Sequence, residues 1–442
     1  MTRIFRFRNF LLFAFIGIAS WIYLTGILAV PFHPDESTQI FMSGDFELFS
    51  QKPSALFWQA NPTNEIRQRY RLLDPPLTRI LIGFARWVTG QPAMPADWDW
   101  SKTWQDNSAA GALPDPGLLQ TARLAIGLFF PLTLFFAFRA GKSLGGDLTG
   151  WIAMFLTLGN ALILLHTRRA MAEGALVMGV FFSLWALTAW RKRLWLSAIP
   201  LALAFNAKYS AAPLVLAGIV AILCMSGEKP LPIRQRLIRL AGFLALFGGI
   251  TLLLNPFLWA HPFQALSAAV TARTDFMAAQ SADYFSTDTP LAPSTLLQSL
   301  LAMTAQLFFT PPASAEVGNY LPQTQIFIDR YLANPLHSLL RSFAGGGLQL
   351  GLVILGLVAV IRGVLSRVKF SQKQNLTLFL FAVFLEFIFM LATTNVAFQR
   401  YYLVLVPMVI LTSSLGINSL VSIFRSILKH KEGNPTTLAG EQ

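Results

Sequence analysis

The stretch RNFLLFAFIGIASWIYLTGILAVPFHPDE, residues 8–36, decides the fold class of this chain. Residues 10–31 form an apolar run long enough to cross the hydrocarbon core of a bilayer as a helix. The basic start MTRIFRFRN and the lack of a clear small-residue cleavage site favour a retained signal anchor over a removed signal peptide. The paired acids Asp35 and Glu36 follow this run at once, so the side of the membrane on which they lie matters for function.

The composition of the whole chain agrees with this start. Of its 442 residues, 54% are hydrophobic and 12% are charged, whereas soluble domains carry roughly 25% charged residues. The single cysteine, Cys224, excludes an intrachain disulfide and any metal site built on several thiolates. The sequence therefore predicts an all-α polytopic membrane protein.

Ten apolar runs have a length near that of a membrane span. The fifth run is short, contains Pro200 and almost joins the sixth, which predicts a tight or broken hairpin there. The predicted spans lie near 10–31, 118–138, 148–166, 174–190, 194–206, 209–226, 237–255, 343–361, 374–394 and 401–422.

The net charge of +13 follows the positive-inside rule when these spans alternate. The segments assigned to the cytoplasmic side hold 19 of the 34 Lys and Arg residues but only 4 of the 21 acids. The protein is therefore predicted to lie in the cell inner (plasma) membrane with both termini in the cytoplasm. Asp35 and Glu36 are then predicted to lie on the outer side. A nucleic-acid partner is not needed to explain the charge.

Two long outer loops are predicted, residues 32–117 and 256–342. Within them, residues 76–90 and 294–309 are short for spans and carry polar side chains, so we expect helices lying along the outer surface. If 294–309 crosses the membrane instead, a second crossing is needed to keep the charge pattern.

The predicted spans and loops form one membrane domain, residues 1–430, without an internal repeat. The polar end of the chain, residues 431–442, is predicted to be a disordered cytoplasmic tail.

The motif HPDE, residues 33–36, has two explanations. Proline followed by acids in a first turn is an ordinary helix start. Successive helical residues point about 100° apart, so a site would use one acid directly while the other supports it. His33 fits a capping or packing role better than a metal site.

Several other motifs of the outer segments mix charge with helix boundaries. In LLDPPLTRI, residues 72–80, Asp74 precedes two prolines, which is an adequate structural explanation of that turn. The segment LLHTRRAMAEGAL, residues 164–176, carries Arg168 and Glu173 at the outer end of a predicted span. Tyr401 follows a cation at another such end.

Taken together, the outer-boundary cations suggest a lipid-borne phosphate, because its charge and acceptor oxygens need paired donors. Snorkelling at the boundary is the alternative. These cations are Arg79, Arg123, Arg168, Arg169, Lys208 and Arg400.

Outer-loop tryptophans could stack on sugar rings, although anchoring at the membrane interface explains most of them equally well. These residues are Trp58, Trp87, Trp98, Trp100, Trp104 and Trp259. Glu386, the acid inside a predicted span, is a candidate for function or for pairing with a nearby cation.

The ordered motifs resemble a known family, the polyprenyl-phosphate-dependent glycosyltransferases of the C superfamily. The branch with protein O-mannosyltransferases and lipid A aminoarabinose transferases is the most similar. The resemblance covers most of the chain and rests on the first span followed by HPDE, then DPPL, ARLAIGL, HTRRAMAEGAL, NAKYSAAPL and QRYYLVLVP.

The resemblance implies an inverting transfer of a sugar from a polyprenyl-phosphate donor to an acceptor hydroxyl on the outer face. Asp35 corresponds to the catalytic base, with Glu36 beside it. Lys208 and Arg400 correspond to the donor-phosphate ligands, and Arg168 and Arg123 are further candidates.

Other expected site residues are His33, Asp74, Glu173 and Tyr401. Many relatives have His in place of Asp74 and Asp in place of Glu173, so substrate details are not carried over. The acceptor is a lipid, a glycan or a protein. No cofactor is certain: the family is divided over divalent metal, and this chain has no clear outer metal pair.

Two other functions remain open on the sequence. A transporter or flippase of a lipid-linked sugar would favour repeated halves or ionisable groups at mid-membrane. A noncatalytic membrane partner of a glycosylation complex would tolerate loss of the acid in the first loop.

Overall fold

The computed structural model describes residues 2–225, 231–285, 292–315, 320–366 and 369–432. These ranges contain helices and no strand. Six helical segments are long and apolar enough to cross a membrane. They are Asn9–Ala29, Pro116–Gly145, Ile233–Leu254, Phe343–Leu365, Phe370–Thr393 and Gln399–Leu428. The expected all-α membrane protein is supported at this level.

The expected number of ten spans is not confirmed. Four predicted spans, 148–166, 174–190, 194–206 and 209–226, correspond to shorter helices. The predicted span 148–166, for example, is divided at Gly159 and Asn160, and its first piece of 12 residues extends only about 18 Å.

Residues 32–117, the predicted first outer loop, form a set of short helices after the long helix α1 (Thr2–Thr25). Proline begins several of them or stands just before, because its fixed φ suits the first turn. The helices are α2 (Pro34–Met42), α3 (Asp45–Gln51), α4 (Glu65–Leu73), α5 (Leu77–Thr89), α6 (Trp104–Ala109) and α7 (Pro116–Gly127). The helix expected at 76–90 is α5.

The middle of the chain forms the centre of the bundle. Its helices are α8 (Phe130–Gly145), α9 (Asp147–Leu158), α10 (Ala161–His166), α11 (Glu173–Ala189), α12 (Ala198–Ala207), α13 (Ala212–Cys224) and α14 (Ile233–Leu254). Lys208 lies in the break between α12 and α13 with extended backbone, so the expected broken hairpin places a lysine at its turn.

The second outer loop and the C-terminal part complete the bundle. Their helices are α15 (Pro262–Phe285), α16 (Leu296–Thr304), continued by a π-helix over Ala305–Phe309, α17 (Leu321–Leu332), α18 (Phe343–Leu365), α19 (Phe370–Thr393) and α20 (Val406–Glu432). The helix expected at 294–309 is present. The last helix continues two residues past the expected domain end at 430, and residues 433–442, most of the expected tail, lie outside the described residues.

One apolar core joins α1, α8 and α11 to the C-terminal helices. Helices α18 and α20 cross closely at Gly356 and Gly416, where a Cβ would collide with the facing backbone. Small residues permit such close packing where helices cannot rely on the hydrophobic effect. The start of α20 thereby places the preceding residues, including Arg400, against the outer-loop helices.

Candidate functional site

The first turn of α2 is a reciprocal helix cap built from HPDE. The backbone N–H of Asp35 donates to His33 Nδ1 at 3.1 Å, and the backbone N–H of His33 donates to Glu36 Oε2 at 3.1 Å. Pro34 occupies the first helical position. The ordinary helix start anticipated from the sequence is therefore present, and it points the two acids in different directions.

Glu36 is fully buried and held by a bidentate ion pair with Arg123. Arg123 Nε lies 2.7 Å from Glu36 Oε1 and Nη2 lies 2.7 Å from Oε2, and the Ala170 N–H donates to Oε1 at 2.9 Å. Burial alone would raise the pKa of Glu36, but the Arg123 guanidinium outweighs it and lowers that pKa. A buried, fully engaged carboxylate does not reach a substrate, so we assign Glu36 to positioning and not to catalysis.

Arg123 is engaged on every side. Besides Glu36, it donates from Nη1 to the carbonyls of Ile27 at 3.0 Å and Val30 at 2.9 Å. This pairing ties the end of the first membrane helix to the start of α2. The expectation that Arg123 binds the donor phosphate is thus replaced by a structural role, because its donors are already used.

Arg168 also departs from the sequence expectation. It is buried, its Nε donates to the Tyr23 carbonyl at 3.1 Å, and its guanidinium lies 4.8 Å from the centre of the Tyr23 ring. Its Nη1 is 3.4 Å from His337 Nε2. The contacts with Tyr23 hold Arg168 against α1, so we assign Arg168 a structural role and not a contact with the donor phosphate.

Asp35 keeps an open side. A third of its side chain is exposed, and Arg400 Nη1 donates a short hydrogen bond to its Oδ2. The guanidinium of Arg400 is nearly buried. The structure therefore places an accessible carboxylate in contact with a cation. The sequence predicts separate roles for the two residues, a catalytic base for Asp35 and a phosphate ligand for Arg400.

Lys208 and Arg400 both lie close to the ring of Tyr401. Lys208 Nζ is 5.4 Å from the centre of the Tyr401 ring, and the Arg400 guanidinium is 5.5 Å from that ring. The partly exposed Lys208 ammonium is held by Glu173 Oε1 at 2.7 Å. Gln280 of α15 donates to the Tyr401 hydroxyl at 3.2 Å. Lys208, Arg400, Tyr401 and Glu173 are thus brought together, as the motifs suggested.

Asp74 ends α4 and contributes a second acid near Asp35. Burial raises the pKa of Asp74; Arg79 opposes this rise, and the negative charge of Asp35 adds to it. Arg79 itself donates to the Asp74 carbonyl at 3.1 Å and lies 3.4 Å from Asp45. Asp74 therefore lies at the predicted turn and also near Asp35.

His33 lies beneath Asp35 as a neutral ring. Burial lowers the pKa of His33 to about 3, with Asp35 opposing that shift and Arg400 adding to it. Its Nδ1 is 3.9 Å from Asp35 Oδ1. A neutral imidazole that accepts from the backbone is a cap, so the capping explanation of His33 holds.

Two residues near the site were not found by sequence reasoning. The first is Asp97, which accepts hydrogen bonds from Thr38 Oγ1 at 2.8 Å and from the Tyr70 hydroxyl at 2.5 Å. Burial raises the pKa of Asp97; these hydrogen bonds oppose the rise, and the negative charge of Asp35 adds to it. No motif surrounds Asp97.

The second is Gln399, next to Arg400. Its buried amide accepts from the Ala313 N–H at 2.7 Å and donates to Thr310 Oγ1 at 3.1 Å. Gln399 therefore fixes the approach of Arg400. It stands in the QRYY motif, which was the available signal.

Among the described residues, no group of three His, Cys, Asp or Glu side chains is placed to hold a metal ion. The accessible carboxylate of Asp35 is instead paired with Arg400. The described residues of this site therefore do not by themselves form a metal centre.

Comparison with known proteins identifies the fold. No protein-family model matches the sequence, and no curated protein matches it. The oligosaccharyltransferase of Archaeoglobus fulgidus in its apo form superposes with a TM-score of 0.51 at 13% identity, covering 98% of this chain and 53% of that one. The same enzyme in complex with Zn and sulfate gives 0.50 at 12% identity, over 93% and 49% of the two chains.

The chain therefore spans about half the length of the solved structures it resembles. At this identity the likeness concerns the fold alone. Membership of the C superfamily, and of its O-mannosyltransferase and aminoarabinose transferase branch, stays a prediction from the motifs.

Proposed function

We propose that the chain is an inverting glycosyltransferase that moves a sugar from a polyprenyl phosphate to an acceptor hydroxyl. The observation that carries this proposal is the pair Asp35–Arg400, an accessible carboxylate in contact with a cation. Such a pair meets both needs of the reaction, a proton acceptor and a stabiliser of a leaving phosphate. The fold of the solved structures is compatible with it.

The donor phosphate is assigned to Lys208 and Arg400. The two cations adjoin the same side chain, because Lys208 Nζ lies 5.4 Å and the Arg400 guanidinium 5.5 Å from the centre of the Tyr401 ring. Glu173 orients the Lys208 ammonium at 2.7 Å and leaves further N–H donors for a ligand, since an ammonium carries three. Charge-assisted hydrogen bonds to phosphate are about twice as strong as neutral ones.

The reaction is a direct displacement at the anomeric carbon. Asp35 takes the proton of the acceptor hydroxyl as its oxygen forms the bond to that carbon, and the bond from the carbon to the phosphate oxygen breaks. The electron pair leaves with the lipid phosphate, whose added charge is balanced by Arg400 and Lys208. A positioned base contributes about 10² to 10⁴ in rate.

Before the donor binds, Arg400 is engaged by Asp35. A donor phosphate offers Arg400 a second anion, which draws the guanidinium partly away from Asp35 and frees a carboxylate oxygen for the acceptor hydroxyl. Donor binding then precedes activation of the acceptor, and Glu36 keeps α2 in place by its pair with Arg123.

The site is assigned to the outer face of a plasma membrane with both termini in the cytoplasm. This assignment rests on the distribution of Lys and Arg along the chain. The family resemblance leaves lipid, glycan and protein acceptors open, and no nucleic acid takes part.

The test is release of lipid phosphate by the purified chain. A panel of short-chain polyprenyl-phosphate sugars is incubated with the wild-type protein and with Asp35→Asn, and the freed lipid phosphate is measured with and without an added acceptor. We expect release with at least one donor and its loss in the variant. Binding of donors without any cleavage, or donor translocation in vesicles without cleavage, would contradict the proposal.

A further inference from the structure

Three of the outer-loop tryptophans gather into one cluster. We call Trp98, Trp100, Trp104, Phe32 and Tyr320 the aromatic cluster. Trp98 is its centre: its ring lies 6.4 Å from Trp100, 5.6 Å from Trp104 and 6.3 Å from Tyr320. The rings meet edge to face, which is the favoured geometry for aromatic pairs. The cluster is therefore a packed support and not a set of separate anchors.

One member of the cluster faces outward. Trp98 and Tyr320 are buried, whereas 38% of Trp100 is exposed. The Trp100 ring rests on Tyr320 at 6.1 Å and on His33 at 6.5 Å. A large ring backed by buried neighbours keeps its orientation at little entropic cost, so it can present a fixed apolar face.

The cluster adjoins the proposed base. Trp100 packs on His33, whose Nδ1 is 3.9 Å from Asp35 Oδ1 and accepts the Asp35 N–H. The aromatic rings faced by Lys208 and Arg400 belong to Tyr401 and Phe398 instead. Two separate groups of side chains thus meet at Asp35, one cationic and one aromatic.

Membrane anchoring does not account for this arrangement as well as it does for Trp87 and Trp259. Trp87, at 65% exposure, packs beside Phe46 and Phe84 on α5, and Trp259 packs beside Phe49 and Phe57. Those neighbours are apolar. Trp100 instead packs against His33 and follows two acids in the segment DWDW, residues 97–100, which is polar for a lipid contact.

We propose that Trp100 is the platform for the acceptor and that the acceptor is a sugar ring of a glycan or glycolipid. This inference rests on the proposed function, since Asp35 must be the base that receives the acceptor proton. The C–H bonds on one face of a pyranose form an apolar surface that fits an indole ring, while its hydroxyls reach polar groups at the edge. The donor is held at its phosphate by the cationic group, and we assign the ring-binding surface to the acceptor; a raised donor KM in Trp100→Ala would assign that surface to the donor sugar and overturn the inference.

The test uses water-soluble acceptors of defined chemistry. Octyl glycosides of glucose, galactose, mannose and N-acetylglucosamine are compared with an octyl ether of ethylene glycol, which offers a hydroxyl without a ring. The protein is kept in a detergent without sugar, below the micellar concentration of each acceptor. Lipid-phosphate release is measured for wild type, Trp100→Ala, Trp100→Phe and the matched control Trp87→Ala.

We expect at least one glycoside to raise release above the rate in water. Trp100→Ala should then increase the KM for that glycoside by about ten-fold, and Trp100→Phe by less. The KM for the donor should stay as in wild type, because the proposed phosphate ligands Lys208 and Arg400 lie beside Tyr401. Trp87→Ala should match wild type throughout.

Three further results would overturn the inference: no stimulation by any glycoside, equal use of the ring-free alcohol, or an unchanged acceptor KM in Trp100→Ala. Failure of the proposed function is recognised separately, because no donor would then be cleaved even in water.

Discussion

Asp35 and Arg400 form a hydrogen-bonded ion pair across 365 residues of chain. Arg400 is positioned by the helical turn before α20 and by its neighbour Gln399, and Asp35 by the cap at the start of α2. The proposed base and the proposed phosphate ligand are therefore one structural unit, and their separate contributions are measurable.

Asp35→Asn keeps the size of the side chain and much of its hydrogen bonding but cannot accept a proton. Turnover should fall by about 10² or more while donor binding survives. Single-turnover release and donor affinity, measured on the same preparation, check this. Full activity of Asp35→Asn would end the assignment of the base.

Glu36→Gln should act on stability and not on chemistry. It leaves Arg123 buried without its anion, and breaking a buried ion pair costs about 3 to 5 kcal/mol. Thermal unfolding should show a large loss, and the double variant Glu36→Gln with Arg123→Met should recover part of it. A well-folded Glu36→Gln protein without turnover would instead exchange the roles of the two acids.

Lys208→Gln and Arg400→Gln should weaken donor binding. A charge-assisted hydrogen bond contributes about 1.5 to 3 kcal/mol, so each change should cost ten-fold or more in donor affinity. Gln is chosen at 208 because it can still donate to the buried Glu173. Lys52→Ala, which removes an exposed cation of the predicted first outer loop, is the control. Donor affinities equal to that of the control would move the phosphate site elsewhere.

The topology is tested with single cysteines in a Cys224→Ser background. Ser54 and Ser294, both exposed in the two outer loops, should react with an impermeant thiol reagent on intact cells. Ser366, exposed on the predicted cytoplasmic side, should react only after lysis. The reverse labelling pattern would place the site on the cytoplasmic face.

Glu386→Leu should stabilise the protein without changing turnover. Glu386 is fully buried within α19, and within the described chain neither of its carboxylate oxygens has a hydrogen-bond partner. Its expected pairing with a nearby cation is therefore not found. Burying an unpaired polar group costs about 1 to 3 kcal/mol, so thermal unfolding should move upward. Loss of turnover in a stable Glu386→Leu protein would reveal a function inside the bundle.

His33 should make stability depend on pH. Because burial lowers its pKa in the folded state to about 3, against about 6.5 when unfolded, the unfolded chain binds the proton more readily. Its contribution to stability is complete above pH 6.5 and decreases as the pH falls toward 3. His33→Asn keeps a capping side chain without this titration, so the stability difference between the two proteins should vary over that range. A difference independent of pH would contradict the buried neutral ring.

Four features were predictable from the sequence: the long apolar runs, the helix start at HPDE, the turn at Asp74 and the break beside Lys208. Each depends on residues close together in the chain, through hydropathy, proline geometry and helix capping. The number of ten spans was not confirmed, because short breaks such as Gly159–Asn160 divide apolar runs without changing their average hydropathy.

Which cation meets which acid was decided only by the tertiary structure. Arg123 and Arg400 both stand at the outer end of a long apolar helix and look alike in sequence, yet Arg123 is enclosed with Glu36 while Arg400 meets the accessible Asp35. The partner of a charged side chain depends on which helices pack together and how far the charge is removed from water. That information lies in contacts between distant parts of the chain. The sequence therefore determined the apolar helices and the position of HPDE. Only the packing of the helices distinguished the structural ion pair Glu36–Arg123 from the candidate catalytic pair Asp35–Arg400.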